Sequence, residues 1–128
     1  MNDSLSQLQL IATNSANEHG WKIVWCTGND IVKDPNIIKN SRIFQDAILS
    51  KHEVLTVGEA LVLCHSELSE ALEAHRDDNK THFAEEIADI VIRVLHICGD
   101  LKIDLTKAIN DKMLKNMNRP HRHGRKNL

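Results

Sequence analysis

The chain has 128 residues, which is enough for one domain with a single hydrophobic core. Apolar residues make up 41% and charged residues 27%, a balance typical of soluble globular proteins. The net charge of −2 argues against a nucleic-acid polymer as a partner. No apolar stretch is long enough to span a membrane, and the N-terminus lacks the pattern of a signal peptide. We therefore expect a cytoplasmic protein with no membrane partner.

The cysteines are three in number and widely spaced, without a Cys-x-x-Cys motif. This pattern argues against a disulfide framework or a zinc finger, and it indicates a reducing compartment. Cys64 and Cys98 fall within apolar helical stretches, where a thiol usually packs as a small hydrophobic group.

The first part of the chain contains one clear helix. An amphipathic helix is predicted from Ser4 to Glu18, ended by His19 and Gly20. Residues 21–52 carry weaker signals, with turn-forming residues followed by a short helix from Ile37 to Leu49. No stretch alternates convincingly between apolar and polar residues, so strands are not expected.

Three longer helices follow, each with a recognisable start or end. Thr56 and Glu59 match a capping box, which marks the start of the first of them. Gly99 suits the position just after the end of the next, and Pro120 stops the last. The three helices are predicted from Thr56 to about His75, from Thr81 to Cys98 and from Asp104 to Asn118.

The short links between these helices predict antiparallel neighbours, hence an all-α fold, a small antiparallel bundle of four to five helices. We expect residues 1–128 to form one domain, with a helical core over 55–118 and a basic tail over 119–128. The predicted helix over 81–98 is apolar on nearly every side, and one small chain covers such a helix poorly. A homodimer or homotetramer is therefore expected.

Two pairs of acidic residues have the spacing of a metal site. Glu67 and Glu70 form one pair, and Glu86 and Asp89 form the other. Three-residue spacing places both members of a pair on one face of a helix. Four carboxylates beside apolar residues repel one another, and Mg²⁺ or Mn²⁺ would stabilise them. The alternative is that these are surface residues that keep two helices soluble.

Three stretches resemble the MazG-like family of all-α nucleoside triphosphate pyrophosphohydrolases. They are HSELSEALEAHR at 65–76, EEIADIVIRVL at 85–95 and DLTKAINDKMLKNMNRP at 104–120, and the resemblance covers residues 55–126. It implies that the acidic pairs bind catalytic Mg²⁺ at Glu67, Glu70, Glu86 and Asp89. It further implies that residues of the last stretch and the basic tail bind the nucleotide and its phosphates, here Lys112, Asn116, Arg119, Arg125 and Lys126.

The resemblance implies hydrolysis of a nucleoside triphosphate to the monophosphate and pyrophosphate. Glu67 or Glu70 would orient or deprotonate the attacking water, and the sequence does not choose between them. Trp21 and Trp25 could stack on the base, although packing is their more common role. The sequence leaves the base, the sugar and the number of metal ions open.

Two other functions fit parts of the pattern. A di-metal carboxylate redox bundle would use Glu-x-x-His motifs, and the chain has none. A non-catalytic helical interaction or regulatory protein would retain the scaffold without the chemistry. Arg93 stands alone in an apolar helix, and we expect it to pair with a carboxylate across an interface.

Overall fold

A computed structural model of the protein describes residues 4–26, 30, 33–37, 42–49 and 53–120. These residues are mostly helical, as predicted. In chain order they form α1 (Ser4–Glu18), β1 (Trp21–Val24), α2 (Arg42–Leu49), β2 (Glu53–Thr56), α3 (Val57–Arg76), α4 (Lys80–Asp100) and α5 (Leu105–Met117). The predicted short helix from Ile37 to Leu49 is described only over α2 and at Ile37.

Helices α3 and α4 form an antiparallel hairpin across the turn at residues 77–79. The predicted capping box is present at the start of α3. Thr56 Oγ1 accepts a hydrogen bond from the Glu59 N–H, and the Glu59 carboxylate accepts one from the Thr56 N–H, each at 3.2 Å. At the start of α4, the Asn79 side chain accepts a hydrogen bond from the His82 N–H at 3.0 Å. These local caps fix where both helices begin.

Helix α1 packs along α4, and the contact depends on Gly99. The prediction that Gly99 follows the end of this helix was wrong, because α4 continues to Asp100. A Cβ atom at Gly99 would lie 1.6 Å from Thr13 Oγ1 of α1. The glycine is therefore needed for the close approach of two helices.

Two short strands contradict the prediction that the chain has none. β1 and β2 pair in parallel, with Trp21 opposite Glu53 and Val24 opposite Thr56. Gly20, at φ 92°, turns the chain from α1 into β1. Each strand has only four residues, which is too short for a reliable alternating pattern.

The core of the described residues is small and lies between the hairpin and β1. It centres on Ile23, Ala60, Cys64 and Ile97. Cys98 is also buried, so both predicted apolar thiols are indeed buried. Many large apolar side chains remain exposed, including Leu61, Leu68 and Val91 on the hairpin. None of the described helices is long and apolar enough to cross a membrane.

Candidate metal centre

Three of the predicted carboxylates meet between the two helices of the hairpin. Each of Glu67 and Glu70 from α3 and Glu86 from α4 offers one oxygen, and these oxygens all lie within 4.8 Å of one another. Glu86 is only 7% exposed, Glu67 is half-buried and Glu70 is exposed. The cluster thus runs from the inside of the hairpin to its surface, where a hydrated ion can enter.

The surroundings of Glu86 shift its pKa strongly. A hydrogen bond with Glu67, burial, and then the hydrogen bond and charge of Glu70 raise the pKa of Glu86 to about 7. The same hydrogen bond with Glu86, helped by Arg93 against the effect of burial, lowers the pKa of Glu67. Two ionised carboxylates cannot hydrogen-bond to each other, so the contact requires a proton or a cation between them. Below about pH 7, the proton of Glu86 meets this requirement.

One oxygen of Glu86 has no hydrogen-bond donor within the described parts of the chain. Glu86 Oε1 lies 3.0 Å from His82 Nε2, but Oε2 is buried and accepts no hydrogen bond from a described residue. A buried oxygen without a donor is costly. A cation held between the carboxylates would remove this cost.

Arg93 pairs with the cluster inside the same chain. Its Nε and Nη2 atoms both lie 3.0 Å from Glu67 Oε1. The prediction that Arg93 pairs with a carboxylate across an interface is therefore confirmed, and the interface is the one between α3 and α4. The α3–α4 packing places residues 26 positions apart in contact, which the sequence pattern does not reveal. The guanidinium supplies one fixed positive charge beside three carboxylates.

Asp89 stands apart from the other three carboxylates. It is exposed and lies on α4 one helical turn after Glu86. It lines a cavity of about 450 Å³ together with Glu67 and Arg93, so it faces the same side of the hairpin. We call it the Glu67 cavity, and its other lining residues are Ala16, Trp21, Leu55, Leu63, Ile92 and His96.

A second cavity, of about 470 Å³, lies on the other side of Glu70 toward the turn of the hairpin. Its lining is polar and includes Ser66, Ser69, Glu73 and Asp77. The carboxylate cluster therefore lies between two cavities, with Glu67 beside one and Glu70 beside the other.

His96 and Asp100 form a buried pair that the sequence analysis did not single out. His96 Nε2 and Asp100 Oδ2 are 2.9 Å apart, and the same oxygen accepts a hydrogen bond from the Ile23 N–H at 2.9 Å. Burial alone would raise the pKa of Asp100, but the hydrogen bonds from His96 and Ile23 outweigh it and lower that pKa. Their i, i+4 spacing within an apolar helix was the available signal.

The remaining predicted site residues are dispersed. Trp21 lines the Glu67 cavity, whereas Trp25 is 71% exposed and does not line it. Lys112 and Asn116 lie on α5, which packs mainly against α1. Asn116 Oδ1 is buried without a hydrogen-bond partner among the described residues. Arg119 follows the end of α5, and Arg125 and Lys126 lie outside the described residues.

The chain matches no protein-family model, no curated protein and no solved structure. The resemblance to the MazG-like family therefore rests on the sequence motifs alone.

Proposed function

We propose that this protein is a Mg²⁺-dependent hydrolase that cleaves a nucleoside triphosphate to the monophosphate and pyrophosphate. The observation that carries the proposal is the buried Glu86 carboxyl, which touches Glu67 and Glu70 and has one oxygen without a donor among the described residues. An acidic group in this state is stabilised by a cation. The MazG-like motifs supply the type of reaction.

The carboxylates suit Mg²⁺, with Mn²⁺ as a substitute. Both ions prefer oxygen ligands, and Mg²⁺ keeps several waters and shares its coordination with substrate phosphates. Glu67, Glu70 and Glu86 would hold the ion from the protein side. Asp89, one turn further along α4, would join them by a side-chain rotation or through a water molecule.

In the proposed reaction, water attacks the α-phosphorus and the bond from that phosphorus to the bridging oxygen breaks. Glu70, at the exposed edge of the cluster, is our choice for the group that orients the water and takes its proton. The leaving pyrophosphate carries new negative charge, which basic groups would offset. The basic groups proposed for this task are Lys112 and Arg119, together with Arg125 and Lys126, while the neutral amide of Asn116 would hydrogen-bond to the nucleotide.

The nucleoside would occupy the cavity beside Glu67, with Trp21 against the base. The cavity volume of about 450 Å³ falls within the range of small-molecule sites, and its lining combines apolar side chains with a few polar groups. Trp25 is not part of this proposal, because it lies outside the cavity lining. A role in nucleotide-pool housekeeping in the cytoplasm remains a prediction from the sequence, as does a homodimer or homotetramer.

The test is a panel of nucleoside triphosphates incubated with Mg²⁺, with products resolved as monophosphate plus pyrophosphate or diphosphate plus phosphate. We expect the first product pair, and we expect Glu70→Gln to remove the activity. Glu85→Gln is the matched control, because Glu85 is an exposed carboxylate on α4 outside the cluster. Loss of activity in both variants, or in neither, would contradict the assignment.

The second candidate is a non-catalytic helical interaction protein. The exposed apolar side chains of α5, among them Met113 and Met117, favour it. The same assay separates the two functions, because an interaction protein would release neither pyrophosphate nor phosphate from any nucleotide on the panel.

A further inference from the structure

One polar group that lines the Glu67 cavity, the His96 side chain, belongs to a hydrogen-bonded chain that runs from β1 into α4. Asp100 Oδ2 accepts hydrogen bonds from the backbone of Ile23 and from His96 Nε2. The side chains of His96 and Asp100 are 11% and 4% exposed. A buried pair tied to a backbone N–H has one orientation, so the His96 ring is held in place.

The second ring nitrogen of His96 is available to a ligand. Nδ1 has no hydrogen-bond partner within the described residues, and His96 belongs to the cavity lining. When Asp100 accepts a hydrogen bond from the Nε2–H group, the neutral ring presents the lone pair of Nδ1. The cavity wall around it is otherwise mainly apolar, formed by residues such as Leu63 and Ile92. A hydrogen bond made there is shielded from water and therefore selective.

We propose that His96 is a specificity-determining residue, whose Nδ1 accepts a hydrogen bond from an N–H or O–H group on the nucleoside half of the substrate. Asp100 is the positioning residue, since it sets which ring nitrogen carries the proton. This inference rests on the proposed function, and it adds how the nucleoside half is recognised: through a donor group on the base or on the sugar.

Asp100→Leu tests the inference because it removes the acceptor that fixes the ring. Asp100 Oδ2 accepts both hydrogen bonds, so a leucine of similar size leaves His96 Nε2 without its acceptor. The ring proton is then free to move to Nδ1, which becomes a donor. A merely structural pair would lose stability on this change, but it would not exchange its ligand preference.

The measurement is calorimetric binding of non-hydrolysable α,β-methylene triphosphates in the presence of Mg²⁺, so that catalysis plays no part. The cytidine and uridine analogues exchange donor and acceptor at C4 of the base and, in the opposite sense, at N3, and the cytidine and deoxycytidine analogues differ by the 2′-hydroxyl of the sugar. We expect Asp100→Leu to shift one of these affinity ratios by about tenfold, against the analogue that donates to Nδ1 in the wild type. A shift in the first ratio identifies the base as the source, and a shift in the second identifies the sugar.

His96→Gln is the second variant, for the case in which Asp100→Leu fails to fold. It keeps a donor for Asp100 but removes the ring acceptor, so the same ratio should shift. His75→Gln, at an exposed position on α3, is the control and should leave both ratios unchanged. Tight binding by all variants with unchanged ratios would overturn the role of His96 alone. A wild-type protein that binds no analogue would overturn the proposed function as well.

Discussion

The charge state of Glu86 links the structure to the proposed metal. Below about pH 7 this carboxyl holds a proton against Glu67, and Arg93 offsets the charge of Glu67. A divalent cation between the carboxylates requires Glu86 to be ionised, so its binding displaces that proton. The affinity for Mg²⁺ should therefore rise with pH up to about 7 and change little above it.

The first prediction concerns Glu86→Gln in metal-free protein. The pKa of Glu86 is raised from 4.5 to about 7 by folding, so the folded state holds the extra proton between these values. Its contribution to the free energy of unfolding is retained below about pH 4.5 and lost as pH rises through 7. The variant lacks this dependence, so its stability relative to wild type should improve between pH 5 and pH 8.

Urea denaturation at both pH values, in the presence of a chelator, measures this difference. Glu85→Gln is again the control, and the difference between its free energy of unfolding and that of wild type should not change with pH. The lowered pKa of Glu67 acts in a separate window, because its stabilising effect is lost only as pH falls below about 4.5. A constant difference between wild type and Glu86→Gln from pH 5 to pH 8 would refute the proton-sharing description.

The second prediction concerns Arg93→Gln. Removal of the guanidinium leaves Glu67 half-buried beside two other carboxyls. We expect the free energy of unfolding of the metal-free protein to fall by about 1 kcal/mol, a small value because Arg93 is partly exposed. Saturating Mg²⁺ should restore part of the loss. Arg76→Gln removes an exposed ion pair to Glu73 and should cost less than about 0.5 kcal/mol. Equal losses in the two variants would show that Arg93 does not stabilise the cluster.

At the scale of helices and strands, local sequence patterns predicted the α3–α4 hairpin but not its contacts with the rest of the chain. The capping box at Thr56 and Glu59 and the acidic pairs depend on residues a few positions apart, and these features can be read from the sequence. The parallel strands, the contact of Gly99 with α1 and the pairing of Arg93 with Glu67 depend on residues distant in the chain. Periodicity carries no information about such contacts.

The third prediction concerns Gly99→Ala. The new methyl group would collide with Thr13 across the α1–α4 contact, so we expect destabilisation by about 1–3 kcal/mol. Gly58→Ala is the control, because its Cβ would meet only Thr56 Oγ1 at 3.8 Å, an ordinary contact. That variant should be neutral or more stable by about 0.5–1 kcal/mol, as expected for alanine in a helix. Denaturant midpoints measure the stability of both variants. An unchanged midpoint for Gly99→Ala would show that α1 and α4 can move apart at no cost.

For the whole molecule, the exposed apolar surface of the hairpin is the main feature that one chain does not explain. Large side chains recur along one stripe of each helix and are 39–49% exposed. Such stripes on two neighbouring helices are typical of a surface that packs on another subunit. The residues are Leu61, Leu68 and Leu72 on α3, with Phe83, Ile87 and Val91 on α4.

The fourth prediction concerns the assembly. Light scattering should give a mass of at least twice 14.5 kDa at micromolar concentration. Leu68→Lys should shift the protein toward the monomer with little loss of helical content, because Leu68 is 49% exposed within one chain. Leu49→Lys, at an 83% exposed position on α2, is the control and should not change the mass. A wild-type monomer would contradict the prediction of a homodimer or homotetramer.

The most direct test of the whole account is anomalous diffraction from crystals grown with Mn²⁺. We expect one strong peak between Glu67, Glu70 and Glu86, with the Glu86 side chain in direct contact. Crystals that show Mn²⁺ elsewhere, with this hairpin site free of density in an active protein, would contradict the central claim.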